Sequence, residues 1–455
     1  MKNLNKIYIS ALSFLLLLGS CSKQLDLKPS EQIEQTNAIL TAADVQITLI
    51  GGYNRLGLAD LYGGGIYLYP DLLATQSVIN WQGTFQTLTQ LTNQAVTVNN
   101  SAVNSVWQDA YQVINQANNV LANSEKVLPV NKDRTEGEAK FLRGMVLFDL
   151  VRLYGRAWND GDPATNLGVP IILTPTTTIT EDSFVSRSTV AEVYAQAIKD
   201  LTEAESQLPA DNGVYANTYA ASAILARLYL QKGDYTNAVN EADIVISSGA
   251  FSLNANYADE FPYPSAQHID NTVEDIFAVQ VTAQQGTNYL NNFYASSDNS
   301  GRGDIIIRQS FVDGYEEGDT RAALFGEDSG GTLVTNKFDN TYGNIRVVRL
   351  AEMYLIRAEA NLRIAAGSAI GDTPLNDINI IRSRAGLAEL TTVSTANVLT
   401  ERIHELAFEG GFFLHDAKRL QQNIGSTVYS SPRLVLPIPQ QEIIANSNLV
   451  QNPGY

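Results

Sequence analysis

Hydrophobic residues recur at intervals of three to four along much of the chain, which is the pattern of amphipathic α-helices. The clearest example runs from about Thr135 to Tyr154. Ser188 stands where an N-cap is expected, and Leu208-Pro209 ends the helix that follows it. The same spacing predicts a mainly α chain, with helices at about 102–127, 135–154, 188–208, 220–231, 237–247, 349–366 and 375–384.

One helix–turn–helix segment resembles a tetratricopeptide repeat. A small-residue helix at Ala223–Tyr229 is followed by the turn Gly233-Asp234-Tyr235, and Ala238 opens the second helix. Such repeats are about 34 residues long, and the pairs here are irregularly spaced. We therefore expect a degenerate tetratricopeptide-like scaffold, with helix pairs at about 102–154, 188–247 and 349–384; a generic helical bundle is the alternative.

Two regions break the helical pattern. Residues from about 56 to 98 are rich in Gly, Tyr, Thr, Gln and Asn, and residues from about 251 to 344 combine Gly and Pro with short β-like pieces. Two of these pieces are Ile276–Val279 and Asp304–Ile307. Because binding residues often lie on long loops carried by a rigid scaffold, these regions predict a loop-rich, partly β binding face.

Aromatic and amide side chains cluster in both regions. An aromatic ring can cover the C–H side of a sugar, while amides bond its hydroxyl groups, so the clusters favour carbohydrate binding. Core packing explains any single one of these aromatics equally well, and Trp81 is the strongest individual candidate. The candidate ligand-binding residues are Tyr62, Tyr67, Tyr69, Asp71, Asn80, Trp81 and Phe85 in the first region, and Tyr289, Asn291 and Tyr294 in the second.

Composition narrows the classes of function. The 455 residues include 48 acidic and 30 basic ones, a net charge of −18. Nucleic acid is therefore not an expected partner, because its phosphates require positive charge. The chain has one cysteine, Cys21, which excludes an intrachain disulfide framework and cysteine-rich metal sites.

No sequence pattern indicates catalysis, a metal or a cofactor. His404–Phe408 begins like a zinc-protease HExxH motif but has Phe at the second ligand position. Patterns for nucleophilic serine, phosphate-binding and dinucleotide-binding loops are absent, whereas a glycosidase-type carboxylate pair cannot be read from sequence and stays open. Asp298–Asp304 lacks the EF-hand ligand pattern and is interpreted as a solvated loop, with Arg302-Gly303-Asp304 a chance tripeptide. Glu401, Glu405 and Glu409 share a helical face and are expected to pair with arginines.

The N-terminus has the features of a secretory signal. Lys2 and Lys6 precede an apolar run at Ile7–Leu18, which is shorter than the roughly 20 residues needed to span a bilayer. Leu18-Gly19-Ser20-Cys21 resembles a bacterial lipobox, with an ordinary signal and an incidental cysteine as the alternative. We predict a signal peptide at 1–20, a lipid anchor at Cys21, a tether at 21–30 and one domain at 31–455.

Several blocks, in order along the chain, resemble the SusD/RagB family of outer-membrane lipoproteins. His404 departs from the arginine common in the family, and the binding regions contain no family motif that can be aligned. The matching blocks are Leu25–Pro29, Glu138–Arg143, Phe148–Gly155, Gly168–Ile171, Arg349–Ala360, Glu401–Gly410 with Asp416 and Arg419, Pro437–Pro439 and Gln451–Tyr455.

The resemblance implies a SusD-like scaffold without enzymatic activity. It further implies a lipoprotein on the outer face of the outer membrane that binds nutrients, usually glycans, and caps a SusC-type TonB-dependent transporter. The alternative is an interaction module of the transporter complex that binds peptide, or no sugar at all. The arginines and glutamates of the shared blocks are expected to form buried ion pairs.

Overall fold

The computed structural model describes residues 39–262, 267–364 and 369–455. The predicted signal peptide, the tether and the lipid anchor at Cys21 lie outside the described residues. Within the described ranges, no helix is long and apolar enough to cross a membrane.

The fold is mainly helical, as the periodicity predicts. The helices are α1 (Ala42–Leu56), α2 (Gly65–Ala74), α3 (Gln86–Thr92), α4 (Ser101–Ala122), α5 (Pro129–Tyr154), α6 (Val190–Gln207), α7 (Thr218–Lys232), α8 (Tyr235–Ser247), α9 (Tyr289–Tyr294), α10 (Gln309–Val312), α11 (Leu350–Arg363), α12 (Pro374–Arg384), α13 (Thr395–Glu405), α14 (Phe412–Arg419) and α15 (Gln440–Ala445).

Short strands form antiparallel two-stranded ribbons between the helices. In the ribbons, β1 pairs with β3, β2 with β6, and β4 with β5. Both β-like pieces predicted in the second region are confirmed as parts of β2 and β3. The strands are β1 (Ile79–Trp81), β2 (Asp275–Val279), β3 (Ile305–Ile307), β4 (Phe325–Glu327), β5 (Leu333–Thr335) and β6 (Ile345–Arg349).

Helices α4 to α8 pack side by side in chain order, and α11 packs against α8 and α12. The second half of α5 is buried on every side because α4 and α6 cover it. Gly144 allows the close approach of α6, since a Cβ at this position would lie 3.0 Å from the side chains of Asp200 and Leu201. Small residues thus permit the tight helix stacking that the repeat-like pattern predicts.

The turn between α7 and α8 forms as predicted. Gly233 adopts φ 76°, a left-handed conformation that favours glycine, and the Asp234 side chain accepts a hydrogen bond from Asn237 N to cap α8. Other helices differ from the prediction at their ends. The N-cap of α6 is Thr189 rather than the predicted Ser188. Helix α5 begins at Pro129, six residues before the predicted start, because proline suits the first turn of a helix.

The region expected to be loop-rich at 56–98 contains α2, β1 and α3. Every residue of α2 is buried, so its apolar residues show no one-sided pattern that would predict a helix. The first half of this region is therefore part of the core, which changes the role of several candidate residues.

A buried ion-pair network joins β6, α12 and α13. The predicted pairing of the three glutamates with arginines is confirmed, but they do not share one helical face, because α13 ends at Glu405 and Glu409 lies in the turn that follows. Burial alone would raise the pKa of Glu405, but Arg384, Arg349 and Arg321 together lower it below its usual value. The ion pairs link Glu401 to Arg321 and Arg382, Glu405 to Arg349, Arg384 and Arg321, and Glu409 to Arg349 and Lys337.

Candidate functional site

The structure places six of the ten candidate ligand-binding residues in the core, which corrects the expectation that they line a binding surface. They are buried because α2 and α9 pack into the interior instead of forming exposed loops. The six are Tyr62, Tyr67, Tyr69, Asp71, Asn291 and Tyr294, each at most 3% exposed.

Three of the buried hydroxyls bond to carboxylates of the protein itself, whereas the Tyr67 hydroxyl and Asp71 Oδ1 have no hydrogen-bond partner among the described residues. The Tyr62 hydroxyl donates to the Asp149 carboxylate, and the Tyr69 hydroxyl donates to Asp60. The Tyr294 hydroxyl donates to Asp71 Oδ2 at 3.3 Å, and burial raises the pKa of that carboxyl well above its usual value. Their partners lie inside the fold, so these side chains serve packing rather than ligand contact.

Asn291 has a structural role as well. Its side-chain amide donates to the carbonyl oxygens of Phe338, at 2.7 Å, and Asn299, at 3.1 Å. Asn80 lies in β1 directly before Trp81, so its side chain points to the opposite face of the ribbon. Neither residue belongs to the surface described next.

Three of the candidate aromatics meet around one buried ring. Phe293 lies with its centroid 6.0 Å from Trp81, 5.9 Å from Phe85 and 4.7 Å from Tyr289. Phe85 is 44% exposed, whereas Trp81 and Tyr289 are partly buried. The fold thus joins the two aromatic regions of the sequence at one place.

Arg302 completes this surface. Its guanidinium lies 4.6 Å above the Phe85 ring, and its Nε donates to Asp304 Oδ2 at 2.7 Å. We call the surface formed by Trp81, Phe85, Tyr289 and Arg302 the aromatic patch. From the sequence, Arg302-Gly303-Asp304 was interpreted as a chance tripeptide. The contact between Arg302 and Phe85 could not be predicted, because the two residues are more than 200 positions apart.

Backbone pairing fixes the position of Trp81. Trp81 lies opposite Ile305 in the β1–β3 ribbon, and its indole N–H donates to Thr89 Oγ1 at 2.9 Å. Gly83 packs on the indole so closely that a Cβ there would lie 2.3 Å from the ring. The ring is therefore held in place before any ligand arrives.

A second contact brings α9 to the patch. Tyr289 N donates to the carbonyl oxygen of Gly63 at 2.7 Å. Gly64 adopts φ 130°, and a Cβ there would lie 2.9 Å from Leu290 N. Burial raises the pKa of the Tyr289 hydroxyl, which remains a neutral donor at physiological pH.

The chemistry of the patch suits an uncharged polar ligand with apolar faces. Partly exposed rings offer stacking surfaces, and the Arg302–Asp304 pair supplies donors and acceptors without net charge. No group of three or more potential metal ligands occurs in the part of the chain that the structure describes.

Comparison with known proteins gives a consistent assignment. Residues 24–230 match a SusD-like family described as starch-binding and associating with the outer membrane, and residues 332–423 match the SusD/RagB family. SusD-like protein P2 of Formosa agariphila is 25% identical, and the alignment covers 99% of this chain and all of that protein.

Solved structures agree with the sequence matches. A SusD superfamily protein of Bacteroides thetaiotaomicron is 28% identical, with a TM-score of 0.76 over 91% of this chain and 100% of that chain. A Bacteroides vulgatus protein described as sugar binding is 27% identical, with a TM-score of 0.80 over 92% of this chain and 99% of that chain. The chain belongs to the SusD/RagB family, a non-catalytic family of carbohydrate-binding proteins associated with the outer membrane.

Proposed function

We propose that this protein is a surface lipoprotein that binds an oligosaccharide at the aromatic patch and delivers it to a SusC-type TonB-dependent transporter. The observation that carries the proposal is the convergence of Trp81, Phe85 and Tyr289 around Phe293. The three rings come from two distant segments, and they remain partly exposed while packing on the core, so a ligand can reach this aromatic surface.

The physical argument favours neutral sugar units. A sugar ring presents an apolar C–H face that an aromatic ring can cover, and its hydroxyls can bond to Arg302 and Asp304. Because these two charges pair with each other, the patch carries little net charge. The overall charge of −18 would repel strongly acidic polysaccharides and leave neutral ones unaffected.

Anchoring and delivery rest on the sequence and the family. The lipobox-like Leu18–Cys21 supports attachment of the chain to the membrane through lipidated Cys21, since a protein with two or more acyl chains is held stably. Resemblance to SusD supports a SusC-type transporter as the partner. The nutrient would pass from the patch to that partner without covalent chemistry.

Isothermal titration against a panel of neutral oligosaccharides tests the binding site. Trp81→Ala removes the largest stacking surface, so we expect at least a tenfold loss of affinity for the ligand identified with the wild type, or about 1.4 kcal/mol. Trp158→Ala is the matched control, because Trp158 is also partly buried but packs against Tyr194.

Two outcomes would contradict the proposal in different ways. Unchanged affinity in Trp81→Ala would remove the patch from the binding site. No binding of any oligosaccharide by the wild type, together with recovery of a transporter on purification, would favour the alternative of an interaction module that binds no sugar.

A further inference from the structure

Large apolar side chains are exposed on one face of the molecule, far in sequence from the aromatic patch. Most of the connection between α5 and α6 has no regular secondary structure, and α15 and the chain end lie beside it. The face contains Leu167 (38% exposed), Leu173 (45%), Ile179 (79%), Phe184 (37%), Ile444 (75%) and Val450 (59%). Isolated apolar residues on a surface are ordinary, but a contiguous group marks an interaction site.

Hydrogen bonds to backbone carbonyls show that the two segments lie next to each other. The side-chain amide of Asn448 donates to the Phe184 carbonyl at 2.6 Å. Arg187 donates through Nη1 to the Val450 carbonyl at 2.9 Å and through Nη2 to the Leu167 carbonyl at 3.1 Å. We call the surface formed by the six exposed apolar side chains the apolar face.

A groove of about 500 Å³ opens into this face. Its floor includes Trp107, Tyr111 and Ile114 of α4, and Ile179 and Phe184 form part of its wall. The opposite wall comes from α15. The groove provides a concave place for apolar side chains, next to the exposed ones.

The charges around the apolar face limit which kinds of partner can bind to it. Glu181, Asp182 and Glu442 lie at or near the groove, and the single basic residue of segments 165–187 and 440–455 is Arg187, which is buried. Arg156 lies beside Leu167 and Val450 at the edge of the face, where it pairs with Asp160. An anionic membrane surface would be repelled. A second copy docked with two-fold symmetry would place acid against acid.

We infer that the apolar face docks a partner protein whose contacting segment carries apolar side chains flanked by lysine or arginine. This inference rests on the proposed function, in which the partner is the transporter. The face shares no residue with the aromatic patch, so glycan and partner can bind at the same time. Apolar contact would supply affinity, and the acidic rim would select the partner and its orientation.

Co-purification tests the inference. Full-length tagged protein is expressed in the source bacterium, and the transporter recovered from detergent-solubilised outer membranes is identified and quantified by mass spectrometry. The variant Ile179→Asp/Ile444→Asp places two charges on the apolar face, and we expect at least a tenfold lower recovery of the transporter. Oligosaccharide affinity should stay within twofold, which also shows that the variant is folded.

The matched control is Ile47→Asp/Val130→Asp. These residues are 67% and 84% exposed, and they lie on α1 and α5 outside the apolar face. Recovery of the transporter should equal that of the wild type. Equal recovery with Ile179→Asp/Ile444→Asp would overturn the docking face alone, whereas no transporter with the wild type would overturn the transporter partnership as well.

Cross-linking identifies what touches the face. The chain has one native cysteine, Cys21, so Ile179→Cys introduces a single new thiol in the folded part, which can carry a benzophenone maleimide. Irradiation in outer membranes should join residue 179 to a transporter peptide that contains apolar and basic residues. Cross-links confined to lipid, to glycan or to a second copy would overturn the inference.

Discussion

Trp81 is positioned for binding by contacts that do not involve ligand. Its backbone pairs with β3, its indole N–H is bonded to Thr89, and its ring rests on Gly83 and Phe293. A side chain already held in one orientation loses little further conformational entropy when a sugar stacks on it. If the proposed site is right, we therefore expect Trp81 to contribute a large share of the affinity.

His404 makes the stability of the fold sensitive to acid. It stacks on Tyr315 with ring centroids 4.1 Å apart, and burial, assisted by Arg321, lowers its pKa from 6.5 to about 4. The unfolded chain therefore binds a proton between pH 6.5 and 4 that the folded chain does not, and the free energy of unfolding falls as the pH falls through this window.

His404→Phe should remove this contribution. Urea unfolding at pH 7, 6, 5 and 4 should give a free energy of unfolding that declines less in the variant, by about 3 kcal/mol at pH 4. Parallel curves for the wild type and His404→Phe would show that His404 does not titrate in this range.

Residue types alone could not distinguish aromatic residues that bind ligand from aromatic residues that pack in the core. Tyr67 and Tyr69 follow a run of glycines within a region rich in Gly, Thr, Gln and Asn, yet both are buried in α2. Phe293 lies in the same aromatic cluster of the sequence as Tyr289, yet it is buried and is the ring around which the patch forms. Which side of an aromatic faces solvent depends on tertiary contacts, and no local pattern encodes them.

At the scale of elements, Arg349 is the strongest connection between parts of the scaffold. It is 1% exposed, lies at the junction of β6 and α11, and donates to Glu274, Glu405 and Glu409 at 2.6 to 2.7 Å. Glu274 and the nearby Glu405 and Glu409, which belong to two segments far apart in sequence, thus share one guanidinium. Removing it would leave buried charges without their main counter-ion.

Arg349→Met should lower the free energy of unfolding by about 3–5 kcal/mol, because one partner of a buried ionic network is lost while the others remain. Arg363→Met is the control: Arg363 is more exposed, and its buried partner Glu359 keeps a second partner, Arg419, so a cost of about 1 kcal/mol or less is expected. Chemical denaturation measures both. Equal losses in the two variants would mean that the network contributes no more than this single partly exposed pair.

Several helices with one apolar face could be predicted from the sequence to within a few residues, although α1, which Thr41 caps, was not among them. Capping by Asp234 and the left-handed Gly233 explain why the α7–α8 turn was predictable. Helix α2 was not, because its buried residues follow no periodicity. The pairing of β1 with β3 could not be predicted either, because each strand has only three residues and the two are more than 200 positions apart.

At the scale of the whole molecule, function depends on where the chain is held. We predict that Cys21→Ser abolishes incorporation of labelled fatty acid and moves most of the protein from the membrane pellet to the soluble fraction, since the lipid attachment is lost. Ser22→Ala, the neighbouring substitution, should remain in the pellet. Membrane retention of Cys21→Ser without lipid label would contradict an anchor at this residue.

The two proposed binding surfaces come from different parts of the chain. The aromatic patch forms from segments near residues 81 and 289–302, while the apolar face forms from segments near 167–184 and 444–450. One surface suits a sugar and the other suits a protein. A protein that captures a nutrient and passes it to a transporter needs both.

The central claim is that the aromatic patch binds sugar, and a crystal structure of the complex with the best-binding oligosaccharide tests it most directly. We predict a sugar ring stacked on Trp81 with carbon atoms within about 4 Å of the indole, and hydroxyls bonded to Arg302 or Asp304. An oligosaccharide bound elsewhere, for example in the groove beside Tyr111, with the face of Trp81 unoccupied, would contradict the claim.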